Sequence, residues 1–118
     1  MGMLLPIMLS EGHHMGWISL EQLASDLCHN NAKTYGIYPR KGTIRVGSDG
    51  DLAIVDLNET RTVTPEYMQS AADWGLYDGW EITGWPVMTI VRGEVVMDRG
   101  RIVADPGHGR YVARHPAS

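Results

Sequence analysis

Five histidines, a single cysteine and 14 carboxylates in 118 residues could, by type alone, build a metal centre or a nucleophile–base pair. Their spacing decides what they can do. His13 and His14 are adjacent, and neighbours on a helix or strand project in different directions. The chain has no H-x-H pair, no H-E-x-x-H and no cysteine cluster, the spacings that gather ligands around zinc. Cys28 has only His29 beside it, and a catalytic Cys–His pair must meet in space rather than in sequence. Cys28 is therefore expected as a small apolar residue on a helix face, and His29 as a cap for carbonyls at a helix end. His108 and His115 fall in the tail. Asp49 and Asp51 could serve calcium or acid–base chemistry, but their segment lacks the other ligand positions and closing glutamate of an EF-hand loop. A turn using Asx geometry is the expected role. Gly107-His108-Gly109 is too short for a phosphate loop and opens no helix. The four tryptophans are expected to fill a core or interface, since no basic groove accompanies them. No catalytic, metal-binding or cofactor-binding residue is assigned, and no cofactor is expected on this chain.

The elements that would position these residues divide near Pro39 into a helical part and a β part. Residues 3–10 predict a short apolar helix with Pro6 in its first turns, where proline is tolerated. Gly12 and Gly16 bracket a turn. Ser19-Leu20-Glu21-Gln22 matches a capping box, and Leu20, Leu23, Ala24 and Leu27 follow at helical spacing. Asn30-Asn31 is expected to interrupt this helix before a last turn stopped by Gly36. Strands are expected at 52–55 and 61–63, with a helical turn at 65–67 that Thr64 could cap. Residues 74–85 suggest an ordered, irregular connector. Strands at 87–92, 95–97 and 101–104 follow, the first two joined by a turn at Gly93-Glu94. Pro106, Pro116 and the basic residues Arg110 and Arg114 place the tail on a surface.

The composition, 43% hydrophobic and 20% charged, suits one folded domain. No apolar run approaches the ~20 residues of a membrane span. Residues 1–10 lack the basic start and cleavage site of a signal peptide. A lone cysteine forbids an internal disulfide and suits a reducing, cytoplasmic setting. A net charge of −4 argues against a nucleic-acid surface. The length also excludes a complete (β/α)8 barrel, which needs roughly 250 residues.

The order of these pieces is more specific than any one of them. Leu5-Pro6-Ile7-Met8-Leu9-Ser10-Glu11-Gly12, Trp17-Ile18-Ser19-Leu20, Asn30-Asn31-Ala32-Lys33 and Tyr35-Gly36-Ile37-Tyr38-Pro39-Arg40-Lys41-Gly42-Thr43-Ile44 resemble the C-terminal end of cyclic amidohydrolases. Val46-Gly47-Ser48-Asp49-Gly50-Asp51-Leu52 with Asp56 resembles the start of that family's small β domain. Gly84-Trp85-Pro86-Val87, Val91-Arg92-Gly93-Glu94 and Pro106-Gly107-His108-Gly109-Arg110-Tyr111 are most similar to its hydantoinase and dihydropyrimidinase branch. Asn31 departs from a proline and Gly50 from an alanine; neither position bears on catalysis.

The resemblance implies an α+β piece of a larger enzyme, itself a (β/α)8 barrel with a small β-sandwich. Residues 1–40 would be the helical end of the barrel, 41–104 the β-rich share of the sandwich, and 105–118 a C-terminal tail. It further implies two zinc ions held by histidines, a carbamylated lysine and an aspartate, with a metal-bridged hydroxide attacking a ring amide. Those ligands precede this chain in the family, so no catalytic residue carries over. The implied partners are the missing N-terminal barrel or further subunits of a homo-oligomer, without nucleic acid or membrane. Alone, the chain is expected to be inactive and marginal, with Leu20, Leu23 and Leu27 exposed and sheet edges open. The alternatives are the tail of a dihydroorotase, allantoinase or D-aminoacylase, or a non-catalytic interaction module using the β edges and the 74–85 connector.

Overall fold

Two helical runs precede a four-stranded antiparallel sheet in the computed structural model, which describes residues 2–69 and 71–115. Met1, Ser70 and residues 116–118 lie outside the described residues, as do the outermost parts of the 1–40 and 105–118 segments. The first run is α1 (Leu4–Ile7), continued by π-helical turns at Met8–His14. Pro6 sits in the first turn, where its missing N–H costs no helical bond. The run passes straight through Gly12, so Gly12 opens no turn. Gly16 alone ends it, at φ 81°, with its N–H on the His13 carbonyl.

The second run is α2 (Leu20–Ala24), a π-helical stretch Ser25–His29 and α3 (Asn30–Thr34), without a break. Asn30 and Asn31 do not interrupt it, because their side chains bond back to the preceding turn. Asn30 donates to the Asp26 carboxylate at 3.2 Å and Asn31 to the Leu27 carbonyl at 3.0 Å. Ser19 is the N-cap, its Oγ accepting the Gln22 N–H at 3.1 Å. The capping box is only half made, since the Gln22 amide turns to Asp26 instead. Ser19→Ala should therefore cost about 1 kcal/mol, read as a lower urea midpoint; an unchanged midpoint would deny the cap any role.

The sheet runs β1 (Leu52–Thr62), β2 (Glu81–Val91), β3 (Glu94–Asp98) and β4 (Arg101–Ile102), in that spatial order. The strands expected at 52–55 and 61–63 are one. The pattern breaks at Asp56-Leu57-Asn58 because the register to β2 shifts there, with the Asn58 N–H on the Asp56 carboxylate. Strand β2 begins at Glu81, six residues before the expected start, and takes in Trp85 and Pro86. Proline is admitted to this inner strand at a second register shift, between Ile54 and Val55. The β2–β3 turn is Arg92-Gly93 rather than Gly93-Glu94, and Arg99-Gly100 joins β3 to β4. Both pairs have positive φ at both positions, matching the twist of the strands they join. The last strand stops at Ile102 instead of Ala104.

Trp85 and Ile82 are fully buried, with Met3 and Val63 closing the core around them. The Trp85 indole N–H donates to the Ile82 carbonyl at 2.7 Å. The Tyr67 ring meets Trp85 edge-on at 4.7 Å, and the Arg61 guanidinium lies over it at 5.7 Å. The first helical run packs on β2 through Gly84, whose φ is 103° and where a Cβ would stand 2.8 Å from that of Leu9. Residues Pro65–Met68 form a 3-10 turn with Pro65 at its start, but Thr64 does not cap it. Glu66 is held below the usual carboxylate range by its own backbone N–H and by the Thr64 hydroxyl.

Candidate functional site

The fold separates His13, His14, His108 and His115 from the rest, while Cys28, His29, Asp49 and Asp51 all line one groove. The His13 ring donates to the Ile18 carbonyl and the His14 ring to the Leu57 carbonyl at 2.7 Å, which ties the first helical run to β1. The two rings touch, at 5.5 Å between centroids, although they are adjacent in sequence. His29 does not cap the helix, which continues past it to Thr34; its ring meets Tyr38 edge-on. His108 lies between the Glu94 carboxylate and the Val91 carbonyl. His115 donates its backbone N–H to the Gly36 carbonyl. No three histidine, cysteine, aspartate or glutamate side chains among the described residues converge to hold a metal ion.

Cys28 is exposed, contrary to the expectation of a core thiol. It sits on the side of the helical run that faces an open space, not the side that packs. Of the tryptophans only Trp85 fills the core; Trp17, Trp74 and Trp80 are exposed. Asp49 and Asp51 do not use Asx geometry either. Their carboxylates turn to Arg40 and Lys41 on the preceding loop.

That cluster fastens the 36–51 loop to the sheet. Asp49 accepts from Arg40 at 2.9 Å and pairs with the Lys41 ammonium at 2.8 Å. Lys41 also pairs with Asp51, whose other oxygen accepts the Arg92 N–H at 2.9 Å. Lys41 and Arg40 hold Asp49 below its usual range. Burial pushes Asp51 up, but Lys41 and the Arg92 N–H more than reverse it. Burial alone would lower Lys41, and its two carboxylates outweigh that and raise it. Depressed carboxylates stabilise the fold above their unfolded pKa, about 4, and that stabilisation is lost as pH falls below it. A raised lysine stabilises below its unfolded pKa, about 10.4, and the effect fades above it. The urea midpoint should thus fall from pH 6 to pH 3, and Lys41→Met should flatten that fall. An equally steep fall in the variant would place the acid sensitivity elsewhere.

An open groove of about 1310 Å³ lies between the second helical run, β1 and the tail. Leu20, Leu27 and Cys28 form one wall, alternate residues Ala53, Val55 and Leu57 of β1 the other, and Ile44 and Tyr111 stand at its edges. Ile44 and Tyr111 are 87% and 90% exposed, and Leu20 is 36% exposed. Leu23, expected among the exposed leucines, is buried at the groove floor. A smaller cavity of about 350 Å³ opens beside Met3, Ile7, Met68 and Tyr77. The larger groove offers apolar area with an internally paired ion cluster at one end. Nothing in it pairs a nucleophile with a base. Its sequence signal was the helical spacing of Leu20, Leu23 and Leu27; the facing wall depended on the register of β1, which the broken strand pattern concealed.

The amidohydrolase family pattern matches residues 3–96. The chain is 44% identical to the L-hydantoinase of Paenarthrobacter aurescens over 93% of its own length and 24% of that enzyme's. It is 34% identical to the dihydropyrimidinase of Rattus norvegicus, over 93% of its length and 21% of that protein's. A crystal structure of a D-hydantoinase superposes with a TM-score of 0.90 at 40% identity, over 94% of this chain and 24% of that one. The chain therefore spans about a quarter of the length of the relatives it matches.

Proposed function

The chain belongs to the amidohydrolase family, and from that premise we propose that it is the C-terminal portion of a metal-dependent cyclic amidohydrolase of the hydantoinase or dihydropyrimidinase type. The 44% identity to an L-hydantoinase across nearly the whole chain carries this reading. In it, the helical runs flank a (β/α)8 barrel and the sheet is one share of a β-sandwich. The enzyme opens cyclic amides by hydrolysing a ring C–N bond, works in the cytoplasm and assembles as a homo-oligomer. The names of the relatives favour hydantoin and dihydropyrimidine rings over those of dihydroorotase, allantoinase or D-aminoacylase.

The described residues do not fit the binuclear zinc centre that this class implies, since no three suitable side chains converge. In this reading the reaction steps belong to the rest of the enzyme. What they supply is position: a rigid Trp85 core, a loop pinned by Lys41, and an apolar groove to pack against. A chimera in which this chain replaces the matching quarter of the P. aurescens L-hydantoinase should fold and open hydantoins. A soluble but inactive chimera, at native metal content, would count against the reading.

A second reading, a non-catalytic interaction module, draws on the exposure of Trp74, Leu76 and Trp80. Large aromatic side chains of that kind anchor protein interfaces. It predicts a monodisperse chain at any concentration, whereas the enzyme-portion reading predicts one of marginal stability that unfolds cooperatively when dilute and self-associates as its concentration rises.

A further inference from the structure

We propose that the segment 105–115 is a strap latched at His108, closed when that imidazole is protonated and loosened when it is neutral. The inference goes beyond the enzyme-portion reading, because it uses only contacts within this chain. The segment leaves the sheet after β4 and turns at Gly107, φ 89°, with the His108 N–H on the Asp105 carbonyl at 3.3 Å. Its far end is fixed where the His115 N–H meets the Gly36 carbonyl at 2.8 Å. The approach there is close: a Cβ on Gly36 would stand 2.4 Å from the His115 carbonyl oxygen. Between these anchors, among the described residues, no hydrogen bond or ion pair holds residues 109–114. Arg110, Tyr111 and Val112 border the groove along this stretch. The strap thus crosses from the β2–β3 hairpin to the end of the second helical run on two attachments. His115 is attached through its backbone, and His108 through its ring.

Both ring nitrogens of His108 face acceptors. Nδ1 lies 3.4 Å from the Glu94 carboxylate and Nε2 lies 3.4 Å from the Val91 carbonyl. A neutral imidazole carries one N–H and leaves a lone pair against the other acceptor, whereas an imidazolium donates to both. Protonation also turns the Glu94 contact into a charge-assisted bond. Glu94, on β3, is the carboxylate within ion-pair distance of the ring. Arg92, on the β2–β3 turn, brings a cation, but its guanidinium donates to the His108 carbonyl rather than facing the ring nitrogens. The Arg92 N–H is held by Asp51 of β1's approach, itself paired with Lys41. Asp105 and Arg110 flank His108 on the strap. The Glu94 side chain is 74% exposed, so solvent screens the pair and the latch shifts the strap's population by only roughly 2- to 5-fold. Imidazole is the side chain whose ordinary titration falls between pH 5 and 8, so the shift comes within that range.

The L-hydantoinase chimera hosts the test, read by hydrogen–deuterium exchange and mass spectrometry of peptides spanning 105–115. Exchange is compared at pH 5.5 and pH 8.5, each corrected for the intrinsic chemical rate. Protection should be roughly 2- to 5-fold greater at pH 5.5. His108→Gln keeps an amide donor but cannot titrate, and it should show equal protection at the two pH values. Glu94→Gln should reduce the difference. Equal protection of the parent at both pH values would overturn the latch, as would a difference that survives His108→Gln. A parallel change in the peptides of β2 would assign the effect to the whole sheet and overturn it too. Turnover is not the readout. A chimera that exchanges as expected yet opens no hydantoin would count against the enzyme-portion reading and leave the latch standing.

Discussion

Truncating Trp85 to alanine is expected to destabilise the chain by about 3–5 kcal/mol. The side chain is fully buried, and its loss empties the space between Ile82, Met3 and Val63. It also removes the edge contact to Tyr67, the stacking of Arg61 and the indole bond to the Ile82 carbonyl. Small domains hold about 5–15 kcal/mol in total, so this single change takes a large share. Urea unfolding should show the loss as a lower midpoint at unchanged slope. A loss below about 1 kcal/mol would mean that the core is not organised around Trp85.

Gly42→Ala should cost nearly as much, about 3 kcal/mol or more, by a different route. Gly42 has φ 83°, which an L side chain adopts only under strain. An added Cβ would stand 2.4 Å from that of Ala32 and 2.8 Å from the Cys28 carbonyl oxygen, both on the second helical run. The 36–51 loop must then lift from the second helical run, and the Lys41 cluster next to it loses its footing. Gly109→Ala is the control: it meets nothing within 4 Å and should move the midpoint by no more than about 0.5 kcal/mol. Equal effects from the two alanines would refute the close approach at Gly42.

Local chemistry that acts over a few residues was legible in the sequence. Ser19 capping the second helix, Gly36 stopping it and the hairpins after residue 87 all rest on one residue's conformational or hydrogen-bonding preference. Features that depend on distant partners were not. Pro86 reads as a strand breaker until Val55 is seen opposite it at a register shift. Asp56-Leu57-Asn58 reads as a loop until β2 is laid beside it. Asp49 and Asp51 read as turn residues because their partners, Arg40 and Lys41, lie nine and ten positions back. Cys28 reads as a core residue for a related reason, although the structure leaves it exposed. Helical spacing identifies an apolar face, and only the rest of the structure shows whether that face is covered.

The family resemblance was carried by the order of weak motifs over the whole chain, and the match over residues 3–96 bears it out. The described histidines hold backbone carbonyls, a neighbouring ring or a carboxylate, and the carboxylates of the 49–51 segment hold cations of the same chain.

The most direct test of the central claim is ring opening by the 118-residue chain alone, supplied with zinc and given hydantoin or dihydrouracil. The account predicts no turnover above the zinc-only background, against clear turnover by the L-hydantoinase chimera that contains the same residues. Ring opening by the isolated, zinc-loaded chain would contradict it.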